Sequence, residues 1–200
     1  MHDLLTDTLP TEWEGRTIDP DFRPMVWLLI RTRRVKTNED SARLIASAIP
    51  LFFVEPIPVA QYPEAFESLV RFCQGGGPED EERTGTGGSS DPQDEPVLDY
   101  RCDSDYIVGA FQQAYGIDLT TEKMHWFRFR ALFAALPEDT LMAKIMGWRS
   151  ADLADYEGSM LEHYAELKER FALPPELRGG AAVAQTVAEH DAAFLARFRR

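Results

Sequence analysis

Apolar side chains recur along this chain at the three- and four-residue spacing of helices, in successive stretches closed by glycine or proline. Between Asp21 and Arg34 the positions Phe22, Val26, Leu29 and Ile30 form one stripe, and Pro24 suits a first turn. Ser41 is the expected cap of a helix over Ala42 to Ile49, with Leu44, Ile45 and Ala48 facing inward and Pro50 beyond its end. The prolines in Phe52-Phe53-Val54-Glu55-Pro56-Ile57-Pro58 forbid a helix, so this run is read as a connector that tucks its aromatics under neighbouring helices. A further helix is predicted over Tyr62 to Gln74, with Phe66, Leu69, Val70 and Cys73 on one side and Gly75 as its stop.

In the second half, Asp103 is placed as a cap for a helix carrying Ile107, Phe111, Ala114 and Tyr115, stopped by Gly116. Ile117-Asp118-Leu119-Thr120 turns the chain, and Asp118 or Thr120 caps a helix over about Thr121 to Leu136. Met124, Trp126, Phe127, Phe129, Leu132, Phe133 and Leu136 make that helix apolar on most faces, as expected of the centre of a bundle. Glu138 to Met146 follows as a shorter helix closed by Gly147. Ser150 or Asp152 then opens another, carrying Met160, Tyr164, Leu167 and Phe171 as far as Pro174-Pro175. A last helix is predicted over roughly Ala181 to Phe198.

Two segments depart from this rhythm. Residues 1–20 read as an extended arm or small hairpin, with the turn at Gly15 between Trp13 and Ile18. Between Gly75 and Pro96 the composition shifts to Gly, Ser, Pro, Asp and Glu, with too little apolar area to offset the entropy of ordering, so a disordered acidic linker is expected. The fold class is therefore mainly α, a multi-helix bundle with a short N-terminal arm or hairpin. Its organisation is read as one main domain: residues 1–74 supply the arm and first helices, 75–97 the linker, 98–173 the central helical core, and 174–200 a C-terminal extension helix.

Composition narrows the functional classes. With 34 acidic against 21 basic side chains and a net charge of -13, the surface repels phosphate backbones and anionic lipid, so neither nucleic acid nor membrane is expected as a partner. The longest apolar runs, Val26 to Ile30 and Ile49 to Val54, fall far short of the roughly 20 residues that span a bilayer. With no secretory signal in the first residues, the protein is placed in the cytoplasm, and Cys73 and Cys102 are read as free thiols. The dense cationic run Arg31, Arg33, Arg34 and Lys36 fits a helix C-terminus stabilised by positive charge.

The search for chemistry returns little. No phosphate loop, dinucleotide fingerprint, nucleophile elbow or zinc-helix motif occurs. His125 lies in an apolar sector and reads as a buried, hydrogen-bonded histidine. His190-Asp191 and Glu189 are adjacent on a helix and do not converge on an ion. No enzyme activity, cofactor or metal is expected.

Several strings together carry a resemblance: Leu4-Leu5-Thr6-Asp7 with Leu9-Pro10, Asp21-Phe22-Arg23, Asp105-Tyr106-Ile107 with Ala110-Phe111, Tyr115-Gly116-Ile117-Asp118-Leu119, His125-Trp126, Phe129-Arg130-Ala131-Leu132, and Ile145-Met146-Gly147-Trp148-Arg149. In these the chain resembles the bacteriophage gene-product-fifteen family, loosely over the arm and first helix and closely over about residues 98–173. Where that family often has two tryptophans after the histidine, this chain has Trp126-Phe127. The resemblance implies a non-enzymatic phage or prophage protein of the host cytoplasm that helps tail assembly by chaperoning the tape-measure protein; the alternative is a minor structural component of the tail. It implies tape-measure or other tail proteins as partners, with self-association open. It also singles out Tyr106, Phe111, Tyr115, Gly116, Asp118, His125, Trp126, Phe129, Arg130 and Arg149 as motif residues, structural or partner-binding.

Overall fold

A computed structural model describes residues 8–75 and 96–178. The opening Leu4 to Asp7, the linker between Gly75 and Pro96, and the helix expected from Ala181 to Phe198 lie outside the described residues. The described chain is mainly helical: a two-stranded hairpin, β1 (Glu12–Trp13) and β2 (Arg16–Thr17), is followed by α1 (Phe22–Thr32), α2 (Asn38–Phe52), α3 (Tyr62–Gln74), α4 (Ser104–Tyr115), α5 (Trp126–Ala134), α6 (Leu141–Ser150), α7 (Gly158–Arg170) and α8 (Pro175–Arg178). These elements fall into two compact units whose boundary does not follow chain order. The first takes in residues 8–75 and 123–134, the second residues 96–122 and 135–178.

In the first unit, the hairpin pairs Glu12 with Thr17 and Trp13 with Arg16. Glu14 and Gly15 both take positive φ, 48° and 76°, the backbone of a type I′ turn, whose twist matches that of the strands it joins. Helices α1, α2 and α3 pack in sequence, and α5 returns to pack on α1. Met25, Phe52, Phe66, Leu69, Phe72, Trp126 and Phe129 are fully buried. α3 matches its predicted bounds, and Gly75 ends it at a φ of 112°, open to glycine and strained for other residues.

Two expectations here are corrected. The inward stripe of α1 is centred on Met25 and Leu28, while Val26 and Ile30 are only half-buried, because Phe22, Met25, Leu29 and Thr32 follow the three-and-four spacing from the buried Phe22. α2 begins at Asn38, not Ala42. Thr37 and Asp40 form a reciprocal capping box at its start, and Ser41 is instead buried one turn in, its hydroxyl donating to the Thr37 carbonyl at 3.1 Å. The helix also runs through Pro50 to Phe52. That proline forgoes the bond an N–H there would make to the Ala46 carbonyl, but both residues are exposed, and the continuation carries Phe52 into the core.

The second unit packs α4 on α6 and α6 on α7 around Ile107, Phe111, Met142, Ile145 and Leu173. Gly116 ends α4 at φ 68°, as its position after Tyr115 predicts. α6 starts at Leu141 instead of Glu138, because the fully buried Thr140 caps it, accepting from Ala143 N–H at 3.3 Å, and it continues through Gly147 to Ser150. The stretch after Ser150 is not yet α7: Asp152 caps a short 3-10 turn, Leu153–Asp155, and the helix itself begins at Gly158. No helix among the described residues is long and apolar enough to cross a membrane.

Candidate functional site

The residues that the sequence singles out divide between the two units. The expected helix from Thr121 starts five residues late, at Trp126 in the first unit, after a turn at Asp118 in the second. The Asp118 carboxylate accepts from the Thr120 N–H at 2.9 Å and the Thr120 hydroxyl at 2.6 Å, which closes a turn and holds this carboxyl below the usual aspartate range. Residues up to His125 then run extended against the start of α1. Phe22 N–H donates to the Met124 carbonyl at 2.9 Å, Trp126 N–H to the Pro20 carbonyl at 2.7 Å, and Met124 N–H to the Asp21 carboxylate at 3.2 Å. Asp21 also caps α1 through Arg23 N–H and pairs with the Arg23 guanidinium at 2.9 Å.

That backbone pairing drives the first turn of α5 inward. Trp126 and Phe129 are each 1% exposed, and the Trp126 indole N–H donates to the Cys73 carbonyl at 2.8 Å. Arg130 reaches the same carbonyl at 3.3 Å with its guanidinium 5.9 Å from the Trp126 ring centre. Phe129 stacks on Phe22 with centroids 4.6 Å apart, and Phe127 on Phe72 at 4.8 Å. The α5 reading as a bundle centre holds only for this first turn, since Leu132 and Phe133 are half-buried.

His125 is half-buried with both ring nitrogens engaged. Nδ1 accepts from Phe127 N–H at 3.1 Å, so the proton sits on Nε2, which donates to the Pro10 carbonyl at 3.0 Å. Both ring nitrogens being bonded, the imidazole is fixed in place and ties the arm to α5.

In the second unit Asp103 was expected to act as a helix cap, but its side chain makes no capping bond to α4. Its carboxylate is instead bidentate with Arg149, at 2.7 and 2.8 Å, and the two side chains are 1% and 7% exposed. Two further donors of the fork are used: Nε donates to the Phe171 carbonyl at 2.7 Å and Nη1 also to the Val97 carbonyl at 3.0 Å, while Asp99 N–H donates to Asp103 at 2.9 Å. A buried, bidentate pair with these backbone partners ties the entry to α4, the end of α6 and the chain after α7 into one knot. Phe111 is fully buried beside the half-buried Tyr115, their centroids 5.7 Å apart, and Tyr106 meets Phe171 edge-on at 6.4 Å.

The ten singled-out residues are thus shared between the two units. Tyr106, Phe111, Tyr115, Gly116, Asp118 and Arg149 lie in the second unit, and His125, Trp126, Phe129 and Arg130 in the first. Among the described residues no three His, Cys, Asp or Glu side chains group to hold a metal ion. Cys73 is buried and Cys102 exposed, and neither is in a disulfide. Partial desolvation, and then the neighbouring Asp99 and Asp103 carboxylates, push the Cys102 thiol up, away from the thiolate a nucleophile needs.

Comparison with protein families places residues 54–173 within the model described as Bacteriophage Gp15 protein. The chain belongs to the bacteriophage Gp15 family. The Gp15 match takes in α3 to α7, and with them both the Asp103–Arg149 knot and the α5 turn. It leaves outside the hairpin, α1 and α2, so that Pro10, Pro20, Asp21 and Phe22, which hold His125, Trp126 and Phe129, precede the matched stretch. No curated protein matches the chain, and no solved structure matches it. Sequence reasoning missed Asp103 as the partner of Arg149, 46 positions away, and the Cys73 carbonyl as the anchor of Trp126. For the first, a signal was present in two oppositely charged residues flanking core helices; for a backbone carbonyl there is none.

Proposed function

We propose that this Gp15-family protein is a non-enzymatic assembly factor for the phage tail, acting in the host cytoplasm by chaperoning the tape-measure protein. The observation that carries the reading is the family match over residues 54–173. The geometry is in keeping with it: the motif aromatics and Arg149 are spent on packing and pinning two helical units, so they build a scaffold and leave binding to its surface. An acidic helical scaffold suits a partner that presents long amphipathic helices. Co-expression with the tape-measure product is expected to yield a complex that co-purifies, and absence of any association would overturn the proposal. Mass spectrometry of purified particles is expected to lack the protein, whereas stoichiometric presence would make it a tail component.

A further inference from the structure

Helix α1 carries a second face. Met25, Leu28, Leu29 and Thr32 are buried, and by helical spacing Arg23, Trp27, Ile30 and Arg31 lie on the side away from them. Trp27 and Ile30 are half-buried there, while Arg31 is exposed with its guanidinium 5.3 Å from the centre of the Trp27 ring. Among the described residues nothing accepts from the Trp27 indole N–H. Where the helix ends, Arg33, Arg34 and Lys36 follow, all exposed. Five of the chain's 21 basic residues thus fall between Phe22 and Asn38, a stretch without one acidic residue in a chain of net charge -13. The nearest carboxylates have other partners: Asp21 pairs with Arg23, Glu39 with Arg43, and Asp40 closes the capping box with Thr37. Among the described residues Arg31, Arg34 and Lys36 pair with no acid. The macrodipole accounts for cations at this end of α1, but not for a tryptophan turned outward beside them with its donor unused.

We propose that the outward face of α1, centred on Trp27 and Arg31, is a docking surface for an acidic amphipathic helix of another protein. Tryptophan and arginine are the side chains that most often carry the binding energy of an interface. Trp27 and Ile30 offer apolar area to the partner's ridge, and the indole N–H and the guanidinium groups of Arg31 and Arg34 donate to carboxylates on either side of it. Charge complementarity selects this occupant. A second copy meeting the same face would set these cations against one another, and a nucleic acid is a long polyanion that meets the field of the whole acidic chain. A short helix meets chiefly the local cations, because fields fade over roughly 8 Å at physiological salt. α1 precedes the stretch matched to the Gp15 family, and the tape-measure reading can fail without touching this surface.

The test uses the full chain and two labelled peptides of about 18 residues, five helical turns. Both consist of leucine, alanine and glutamate in the same proportions; one is arranged as an apolar stripe flanked by glutamate, the other scrambled so that leucine falls on all sides. Fluorescence anisotropy is expected to show at least tenfold preference for the striped peptide, weakening as salt is raised. Arg31→Glu with Arg34→Glu, both exposed positions, is expected to abolish that preference, and Arg31→Gln with Arg34→Gln to reduce it several-fold. Arg101→Glu with Arg170→Glu in the second unit makes the same change in net charge and is expected to leave it intact. Equal binding of the two peptides, or a preference that survives the α1 charge reversal, would overturn the proposal. So would an oligothymidylate of about 18 nucleotides bound as tightly as the striped peptide, which would make nucleic acid the occupant. Dimerisation lost on Arg31→Glu with Arg34→Glu would make it a second copy. Peptide affinity raised tenfold by Glu79→Gln, Asp80→Asn, Glu81→Gln and Glu82→Gln together would make it the chain's own acidic run, and either result sinks the proposal.

Discussion

The two units solve the same problem with different chemistry. The first is held mainly by ring on ring, with Phe22 stacked on Phe129 and Phe72 on Phe127, while the Trp126 indole and the His125 imidazole bond to backbone carbonyls and its buried carboxylate, Asp21, pairs with the part-exposed Arg23. The second has a smaller apolar centre and fixes its chain segments with a buried guanidinium and carboxylate. Apolar packing is tolerant of small errors because its loss is graded with area, whereas an ion pair taken out of water is costly as soon as either member is removed. The first unit should therefore fail gradually and the second abruptly.

The largest effect is expected from Arg149→Met, which strands Asp103 in the core. It should lower stability by about 3–5 kcal/mol in urea denaturation, with hydrogen-exchange protection lost first over residues 96–122 and 135–178. Adding Asp103→Leu should restore much of that loss; a double variant no better than the single would show that the carbonyl contacts of Arg149, not its charge, hold the unit. A smaller loss, about 1–3 kcal/mol, should follow Trp126→Phe, which removes the indole donor to Cys73 and leaves a modest void. Its protection loss should fall on the first unit alone, and a uniform loss over both would erase the contrast drawn above. Thr140→Ala should cost about 1 kcal/mol by uncapping α6.

The smallest effect belongs to the half-exposed Glu14–Arg71 pair, 2.8 Å apart, which joins the hairpin turn to α3. The Arg71 guanidinium holds the Glu14 carboxyl below the ordinary glutamate value. Because the folded form releases its proton more readily, this contribution is present above the ordinary value and is lost as pH falls through the lowered one. Glu14→Gln should thus remove well under about 1 kcal/mol at neutral pH and nothing in strong acid, by paired thermal scans.

Much of the helical pattern was legible because it is local. α3 was placed between Tyr62 and Gln74 because its first-turn proline, apolar stripe and closing Gly75 all agree, and α4 ends where Gly116 said it would. The misplacements arise where a tertiary partner outbids a local signal. Pro50 and Gly147 are stop signals overridden by the burial of a residue beyond each of them, Phe52 and Arg149. The strongly apolar run from Thr121 lost its first turn to backbone pairing with Pro20 and Phe22, a hundred positions earlier in the chain, which no periodicity encodes. Among the motif residues the types were readable and the partners were not: Arg149 was marked by its string, and Asp103 was taken for a cap.

The interleaving of the units has a bearing on how the chain matures as it emerges from the ribosome. The first unit cannot close its core until Trp126 and Phe129 have been synthesised, so the hairpin and three helices wait, rings unsatisfied, while α4 is being made. Translation speed between Gly75 and Trp126 thereby becomes a determinant of yield, and slow codons there would prolong the interval in which those rings face solvent.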